Sequence, residues 1–442
     1  APFKDSLFRA QWLRTAGHAS AGGADLGECF AVADAIREPD ALSWHDGWIA
    51  AAERLFEAAQ TSLAAGHRPS AHCGFLRTSN YFRAAYTFLM QPAPDARLKT
   101  AYRRQRQAFE QAIVARPGWG EPIAIPFEGK SLHGYFFAAP AATSRPTLIL
   151  TGGYDSTAEE TFFYSGAAAL TRGYNVLCYD GPGQGAALIE DGIVFRPDWE
   201  NVIAAVIAYL NGRREVDPKR IVQMGISFGG YLAPRAMSGN PALAACIADP
   251  GQLSLIEEAK TRLPGFLARH LPDGNATVLK ALDALLMMRL KKPTAGWALR
   301  RCLWVHGVAR PIDFLRLTAQ YTSVGRVERI KRPTLICRAE DDEIGATAEK
   351  LYDLLECPKA FLRFTAAEGA GAHCESGARL LFNQRVFDWL DEVLAQGAPT
   401  ALQAAWQRAP FLFPCTCGNE PAPPAQARET RMANENKVLK AL

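Results

Sequence analysis

Arg220-Ile221-Val222-Gln223-Met224-Gly225-Ile226-Ser227-Phe228-Gly229-Gly230 is the stretch that decides the fold. Its first half is an apolar run of the kind that forms a buried parallel strand. Its last residues open into Tyr231-Leu232-Ala233-Pro234-Arg235-Ala236, which can form a helix. Between them Ser227 sits in a G-x-S-x-G pattern at the apex of a tight turn. A strand, a sharp turn and a helix lift a serine hydroxyl above a sheet edge. Side chains at Gly225 and Gly229 would collide with the neighbouring strand and helix, which explains the glycines. The same turn aims the backbone N–H of Phe228 at a developing oxyanion. A G-x-S-x-G pattern also arises by chance in loops; the flanking strand and helix separate the two cases.

Outward from this turn, strands and helices alternate. Strands are expected at 123–127 and 132–137, around a turn at Glu128-Gly129-Lys130, then at 147–150, 174–179, 221–224 and 244–248. Helices are expected at 159–170, 198–210 and 229–237. Strand texture returns at 333–337 and 361–364, and a closing helix spans about 384–394. Such alternation implies an α/β fold, a mostly parallel sheet with helices on both faces. Before it, helical periodicity dominates: Trp48, Ile49, Ala52, Leu55, Phe56, Ala59 and Leu63 recur at helix spacing, followed by stretches at 71–90 and 98–113. Phe75, Tyr81, Phe82, Tyr86 and Phe88 read as core of this part. The expected organisation is an N-terminal helical domain over 1–117 and a first core segment over 118–253. A helical, basic insertion over 254–325, a second core segment over 326–398 and a tail over 399–442 follow.

The chain has 442 residues, 48 % apolar and 21 % charged, with a net charge of +4. That is ample for a core, and no basic block or aromatic–basic interleaving suggests nucleic acid. No apolar run has the length of a membrane span. The N-terminus lacks the pattern of a signal peptide, and the scattered cysteines, such as Cys178 and Cys337 in apolar runs, read as small buried hydrophobes in a reducing compartment. A cytoplasmic protein is the expectation. Cys415-Thr416-Cys417 is a single C-x-C without a second pair or a nearby histidine, so no metal is expected there.

A serine nucleophile needs a base, and the base needs an orienting acid. On this kind of fold the order along the chain is Ser, acid, His. The acid is expected after the strand at 333–337, in Glu340-Asp341-Asp342-Glu343. Asp342 is the choice, with Asp341 and Glu340 as competitors. The base is expected after the last strand, where His373 stands among small residues in Gly369-Ala370-Gly371-Ala372-His373-Cys374. The second oxyanion donor is expected in Thr151-Gly152-Gly153-Tyr154-Asp155-Ser156, from the amide of Gly153 or Tyr154. Asp155 is unusual beside an oxyanion hole. It reads either as an acid/base or substrate-gripping group, or as an N-cap of the next helix. Asp180-Gly181-Pro182-Gly183-Gln184-Gly185 lacks the lysine of a phosphate loop and reads as a turn.

Taken together, Thr151–Thr157, Asp180–Gly185, Met224–Gly230 and Gly371–Cys374 resemble, in the same order, the α/β-hydrolase family of 2,6-dihydroxypseudooxynicotine hydrolase and the fungal pigment enzymes that shorten heptaketides. The resemblance covers about residues 35–395. It implies an α/β-hydrolase core partly covered by the N-terminal helical domain. It further implies hydrolysis of a C–C bond next to a ketone, with no cofactor, and a possible homodimer; a small-molecule substrate, with no metal and no nucleic-acid or membrane partner, is the expectation for the chain as a whole. By position it makes Ser227 the nucleophile, Asp342 the acid and His373 the base. The nicotine enzyme carries a glutamate with an assigned catalytic role where this chain has Asp155, one methylene shorter. Ester or amide cleavage by the same triad is the competing reading; a non-catalytic binding protein on the same fold is a third.

Overall fold

The computed structural model describes residues 2–140 and 143–396. The tail over 399–442, with Cys415 and Cys417, lies outside them.

Eight strands form one sheet: β1 Glu121–Phe127, β2 Lys130–Phe137, β3 Arg145–Thr151, β4 Asn175–Tyr179, β5 Val216–Ile226, β6 Ala245–Asp249, β7 Thr334–Ala339 and β8 Lys359–Phe364. Their order across the sheet is β1-β2-β4-β3-β5-β6-β7-β8. β1 and β2 form an antiparallel hairpin, β2 runs antiparallel to β4, and every pair from β4 to β8 is parallel. All eight strands fall where the apolar runs place them. The central ones are buried along their whole length, as in β4 and β6, because helices cover both faces.

After β3 the chain adds β4 on one side and then β5 on the other, and this switch in strand order opens a crevice at their C-terminal ends, where α/β proteins place their chemistry. The loop after β3, the turn after β5, the loop after β7 and the loop after β8 converge there. Helix Gly229–Met237 follows the turn after β5. The stretch expected as one helix at 159–170 begins at Ala158 and carries a wider π turn at Phe162–Gly166. The closing helix starts earlier than expected, at Arg379.

The N-terminal part is helical throughout, its longest helices being Ala41–Ala64, Arg68–Ala85 and Ala96–Ala115. Phe75, Tyr81, Phe82, Tyr86 and Phe88 are all buried. This layer does not fold apart from the sheet: Phe109 packs on Tyr135, Phe162 and Phe163. The insertion between β6 and β7 is also helical, with Ala276–Leu290 and Trp297–Val305 as its main elements. Trp297 Nε1 donates to the Thr87 carbonyl at 2.8 Å, so the two helical parts meet above the crevice. No helix among the described residues is long and apolar enough to cross a membrane.

Candidate active site

Ser227 has φ +60°, a left-handed conformation that costs a non-glycine residue about 1–3 kcal/mol. The turn is enforced from several sides. Its N–H donates to the Asp249 carbonyl at 2.7 Å, and its carbonyl accepts from Gln252 Nε2 at 2.7 Å. A Cβ on Gly225 would stand 1.9 Å from the Gly229 carbonyl oxygen, and one on Gly230 would stand 1.8 Å from that of Pro250. Neither backbone can give way, so only glycine fits at either position.

His373 Nε2 lies 2.9 Å from Ser227 Oγ, and its Nδ1 lies 2.7 Å from Asp342 Oδ2. The three side chains come from the loops after β5, β7 and β8. Asp342 is buried, whereas the His373 side chain keeps 39 % of its accessible surface, leaving one face of the imidazole open to a ligand. Burial opposes protonation of His373, but the Asp342 carboxylate outweighs it and holds the imidazole above its ordinary pKa of 6.5. Asp341 and Glu340 point elsewhere. The Asp341 N–H bonds the Gly371 carbonyl, and Glu340 Oε2 accepts from the Ala366 N–H. They tie the acid loop to the histidine loop.

The loop after β3 passes directly over the serine. A Cβ on Gly153 would lie 2.7 Å from Ser227 Cβ and 2.9 Å from its Oγ. The Gly153 N–H is already taken, donating to Ser156 Oγ at 3.1 Å. The N–H groups of Tyr154 and Phe228 carry no such bond among the described residues. Gln184 Nε2 donates to the Gly152 carbonyl at 2.6 Å, so the glycine-rich turn after β4 props this loop from behind. Asp180, in the same turn, accepts from the N–H groups of Ala158 and Ala186.

The cap reading of Asp155 does not hold. The N-cap of the following helix is Thr157, whose side chain accepts from the Glu160 N–H. Asp155 is instead a buried counter-ion. Its Oδ2 accepts from Arg14 Nη1 at 3.0 Å and from Arg301 Nη1 at 2.7 Å, and Arg83 Nη2 is 3.5 Å away. Burial by itself would push the carboxyl up, but Arg14, Arg301 and Arg83 outweigh it and hold it well below the ordinary carboxylate range. A carboxylate so held carries no proton to give. Glu160 completes the cluster: Arg14 donates to it through Nε at 2.8 Å and Nη2 at 2.6 Å, and Arg83 Nε is 3.1 Å away.

Two further groups escape the sequence. His306 joins Tyr154 to Tyr321, its Nε2 lying 3.0 Å from the Tyr154 hydroxyl and its Nδ1 3.1 Å from that of Tyr321. Burial pushes His306 down to about 3, so it is neutral. The Tyr154 ring stacks on Phe228 with centroids 4.6 Å apart. Behind His373, Asp249, Glu375 and Arg379 form a fully buried network. The contacts that complete these groups, His306 with Tyr154 and Arg379 with Asp249, join residues more than a hundred positions apart and leave no sequence signal. Among the described residues no group of histidine, cysteine and carboxylate side chains could hold a metal ion.

Comparison with known proteins agrees with this architecture. The model of the alpha/beta hydrolase family matches residues 132–381, more than half of the chain. The chain belongs to the alpha/beta hydrolase family. Hydrolase LUC6 of Fusarium sp is 33 % identical over 412 residues, covering 88 % of this chain and 97 % of that relative. The 20-hydroxy-prefusarin hydrolase FUS2 of Gibberella moniliformis is 33 % identical over 417 residues, covering 89 % and 98 %. Among solved structures, 2,6-dihydroxy-pseudo-oxynicotine hydrolase superposes with a TM-score of 0.67 at 21 % identity, covering 87 % of this chain and 98 % of its own. This alpha/beta hydrolase is therefore an enzyme related to fungal hydrolases along nearly its whole length, and it shares its fold with a hydrolase of a nicotine derivative.

Proposed function

We propose that this alpha/beta hydrolase cleaves a C–C bond next to a ketone in a polyketide-like or aromatic ketone, using Ser227, His373 and Asp342. The observation that carries the reading is the unbroken chain Ser227 Oγ–His373 Nε2 at 2.9 Å and His373 Nδ1–Asp342 Oδ2 at 2.7 Å, beside the unpaired amides of Phe228 and Tyr154. His373 takes the Ser227 proton as Oγ attacks the carbonyl carbon. Asp342 holds the imidazole in the tautomer with a free Nε2 and stabilises the imidazolium. The two amides receive the oxyanion. When the tetrahedral intermediate collapses, the C–C bond breaks and its electron pair leaves on the adjacent carbon as an enolate. The His373 imidazolium returns its proton to that carbon. Water, deprotonated by His373, then attacks the acyl-serine and releases a carboxylic acid and free Ser227.

Asp155 has no proton in this scheme; it organises the arginines around it. The relatives support a small-molecule, polyketide-type substrate, FUS2 being a hydrolase of 20-hydroxy-prefusarin. The N-terminal helical part and the insertion act as the roof that excludes water, which favours protonation at carbon by His373 over loss of the enolate to solvent.

Cleavage of an ester or amide by the same triad is the second reading, favoured by the three arginines that hold Asp155 ionised and so without a proton for a carbon leaving group. A panel of β-diketones, esters and amides, with products identified by mass spectrometry, separates the two. Turnover of β-diketones with a kcat/KM above that of matched esters supports C–C hydrolysis; turnover of the esters alone overturns it.

A further inference from the structure

Two arginines of the insertion reach down to the loops that flank Ser227. Arg301 bonds the loop after β3 through Asp155 Oδ2, at 2.7 Å. Arg262 bonds the loop after β7 through the Glu343 carbonyl, at 3.5 Å, one residue beyond Asp342. Each guanidinium is anchored at one end only. The Nε atoms of both are buried without an acceptor among the described residues. A buried donor left unpaired costs about 1–3 kcal/mol, and more on a charged group. Stacking holds Arg301 in place: its guanidinium carbon lies 4.3 Å from the Trp297 ring centre and 5.7 Å from that of Tyr154. Tyr154 supplies one of the two amides proposed for the oxyanion, and burial first, with Cys302 and Tyr321, pushes its phenol up while Arg301 and Arg262 act against that push.

Arg301 is one of three arginines, with Arg14 and Arg83, that meet Asp155 and Glu160, all with side chains between 1 % and 13 % exposed. His18, which touches Glu160, is kept neutral by burial. Burial and Arg14 oppose protonation of His373, while the Asp342 and Asp249 carboxylates favour it, so Arg14 acts on the triad as well. A guanidinium with an open donor in a low-dielectric site favours an anionic partner.

We infer that Arg301 and Arg262 bind an anionic group of the substrate, a carboxylate, held above Ser227 between the oxyanion loop and the acid loop. The substrate class is therefore an acid, and the insertion supplies the residues that recognise it. The two guanidiniums come from separate segments of the insertion, and the acid pairs donors that otherwise stay unpaired. The position of this site relative to the chemistry rests on Ser227 being the nucleophile. The binding itself does not, so its test reads binding alone.

Calorimetric titration of the full chain with phenylbutyrate and with phenylbutanamide compares an acid with its neutral isostere. A charge-assisted pair to arginine makes the acid bind about 10- to 100-fold tighter than the amide. Arg301→Gln brings that ratio to within about 3-fold of unity, and Arg301→Lys restores part of it. Arg262→Gln, which leaves the Asp155 cluster untouched, lowers the ratio about 3- to 10-fold with the thermal unfolding midpoint preserved. Equal affinity of acid and amide for the wild-type chain overturns the inference, as does failure of the acid to bind below about 10 mM, or an unchanged ratio in both glutamine variants. Failure of the hydrolase reading shows separately, as normal acid binding with no turnover in the substrate panel.

Discussion

Arg14 and Arg301 donate to the same oxygen, Oδ2 of Asp155, at 3.0 Å and 2.7 Å. One arginine belongs to the N-terminal helical part and the other to the insertion. Asp155 belongs to the core, two residues after the glycine that lies on Ser227. A single buried carboxylate thus pins both halves of the roof to the loop that carries the Tyr154 amide. Removing it strands Arg301 and leaves Arg14 and Arg83 on Glu160 alone. Asp155→Ala should cost about 3–5 kcal/mol of stability, the range for breaking a buried ion pair. Asp155→Asn should lose nearly as much, because the amide retains shape but not charge. Chemical denaturation checks this; a loss under about 1 kcal/mol in both variants would show that the cluster does not hold the roof.

Ser227→Ala removes only Oγ from a turn fixed by backbone bonds and glycines. Turnover should fall by at least about 10⁴-fold with an unchanged unfolding midpoint. Fluorophosphonate labelling of the wild-type chain should vanish in the variant. Labelling that persists at another serine would point to a different nucleophile.

Asp342→Asn should lower kcat about 10⁴-fold by favouring the wrong histidine tautomer. Asp341→Asn should have an effect under about 10-fold, since Asp341 meets the histidine loop through its backbone N–H. Kinetics of the two purified variants on one substrate decide the assignment, and the reverse order of effects would transfer the role to Asp341.

Activity needs neutral His373, whose pKa the Asp342 carboxylate raises above 6.5 against the pull of burial. kcat/KM should therefore fall on acidification, with a midpoint above that value. Stability runs the other way. The contribution of the His373–Asp342 pair is complete below the unfolded pKa and is lost as pH rises through the folded one. Imidazole titration by NMR should show the raised pKa in the wild type and a drop below 6.5 in Asp342→Asn.

Glu375 and Asp249 lean on one arginine, Arg379, at 3.3 Å and 3.5 Å. Glu375 Oε1 and Asp249 Oδ1 have no other donor, which a proton on Glu375 bonding to Asp249 satisfies. Burial pushes Glu375 up first, and the Asp249 charge adds to it. Glu375→Gln mimics the neutral acid and should change stability by less than about 1 kcal/mol at pH 4. Because the folded pKa is raised, the wild type loses stability as pH rises above the unfolded value, 4.5. The variant should gain on it from pH 4 to pH 7. Denaturation at both pH values tests this; a variant that loses ground over that range would mean Glu375 is ionised in the fold. Cys374 and Glu375 both have positive φ, at +49° and +44°, so this network also holds strained backbone directly after His373.

Much of the fold is legible in the sequence because its causes are local. Apolar runs of strand length mark all eight strands, and the 3.6-residue rhythm marks the helices of the N-terminal part. Gly225 records a collision with Gly229, four positions on, so the turn with Ser227 at its apex can be read directly, whereas Gly229 and Gly230 answer to the distant Thr151 and Pro250. The order of Ser227, Asp342 and His373 follows from the order of strands in the sheet. The choice of Asp342 over Asp341 was open in the sequence, since adjacent carboxylates differ only in where the loop aims them. The surroundings of Asp155 were closed to the sequence for a related reason. Its immediate neighbours suggest a cap or an acid, while its true partners, Arg14, Arg83 and Arg301, come from three separate segments. Such long-range charge pairing leaves no periodic trace along the chain. The sequence by itself determined which strands and turns this hydrolase has, and which serine stands at the apex of the sharpest turn. Only the tertiary structure decided which charges meet, because burial makes the pairing of a charge depend on whatever the fold brings within a few ångströms of it.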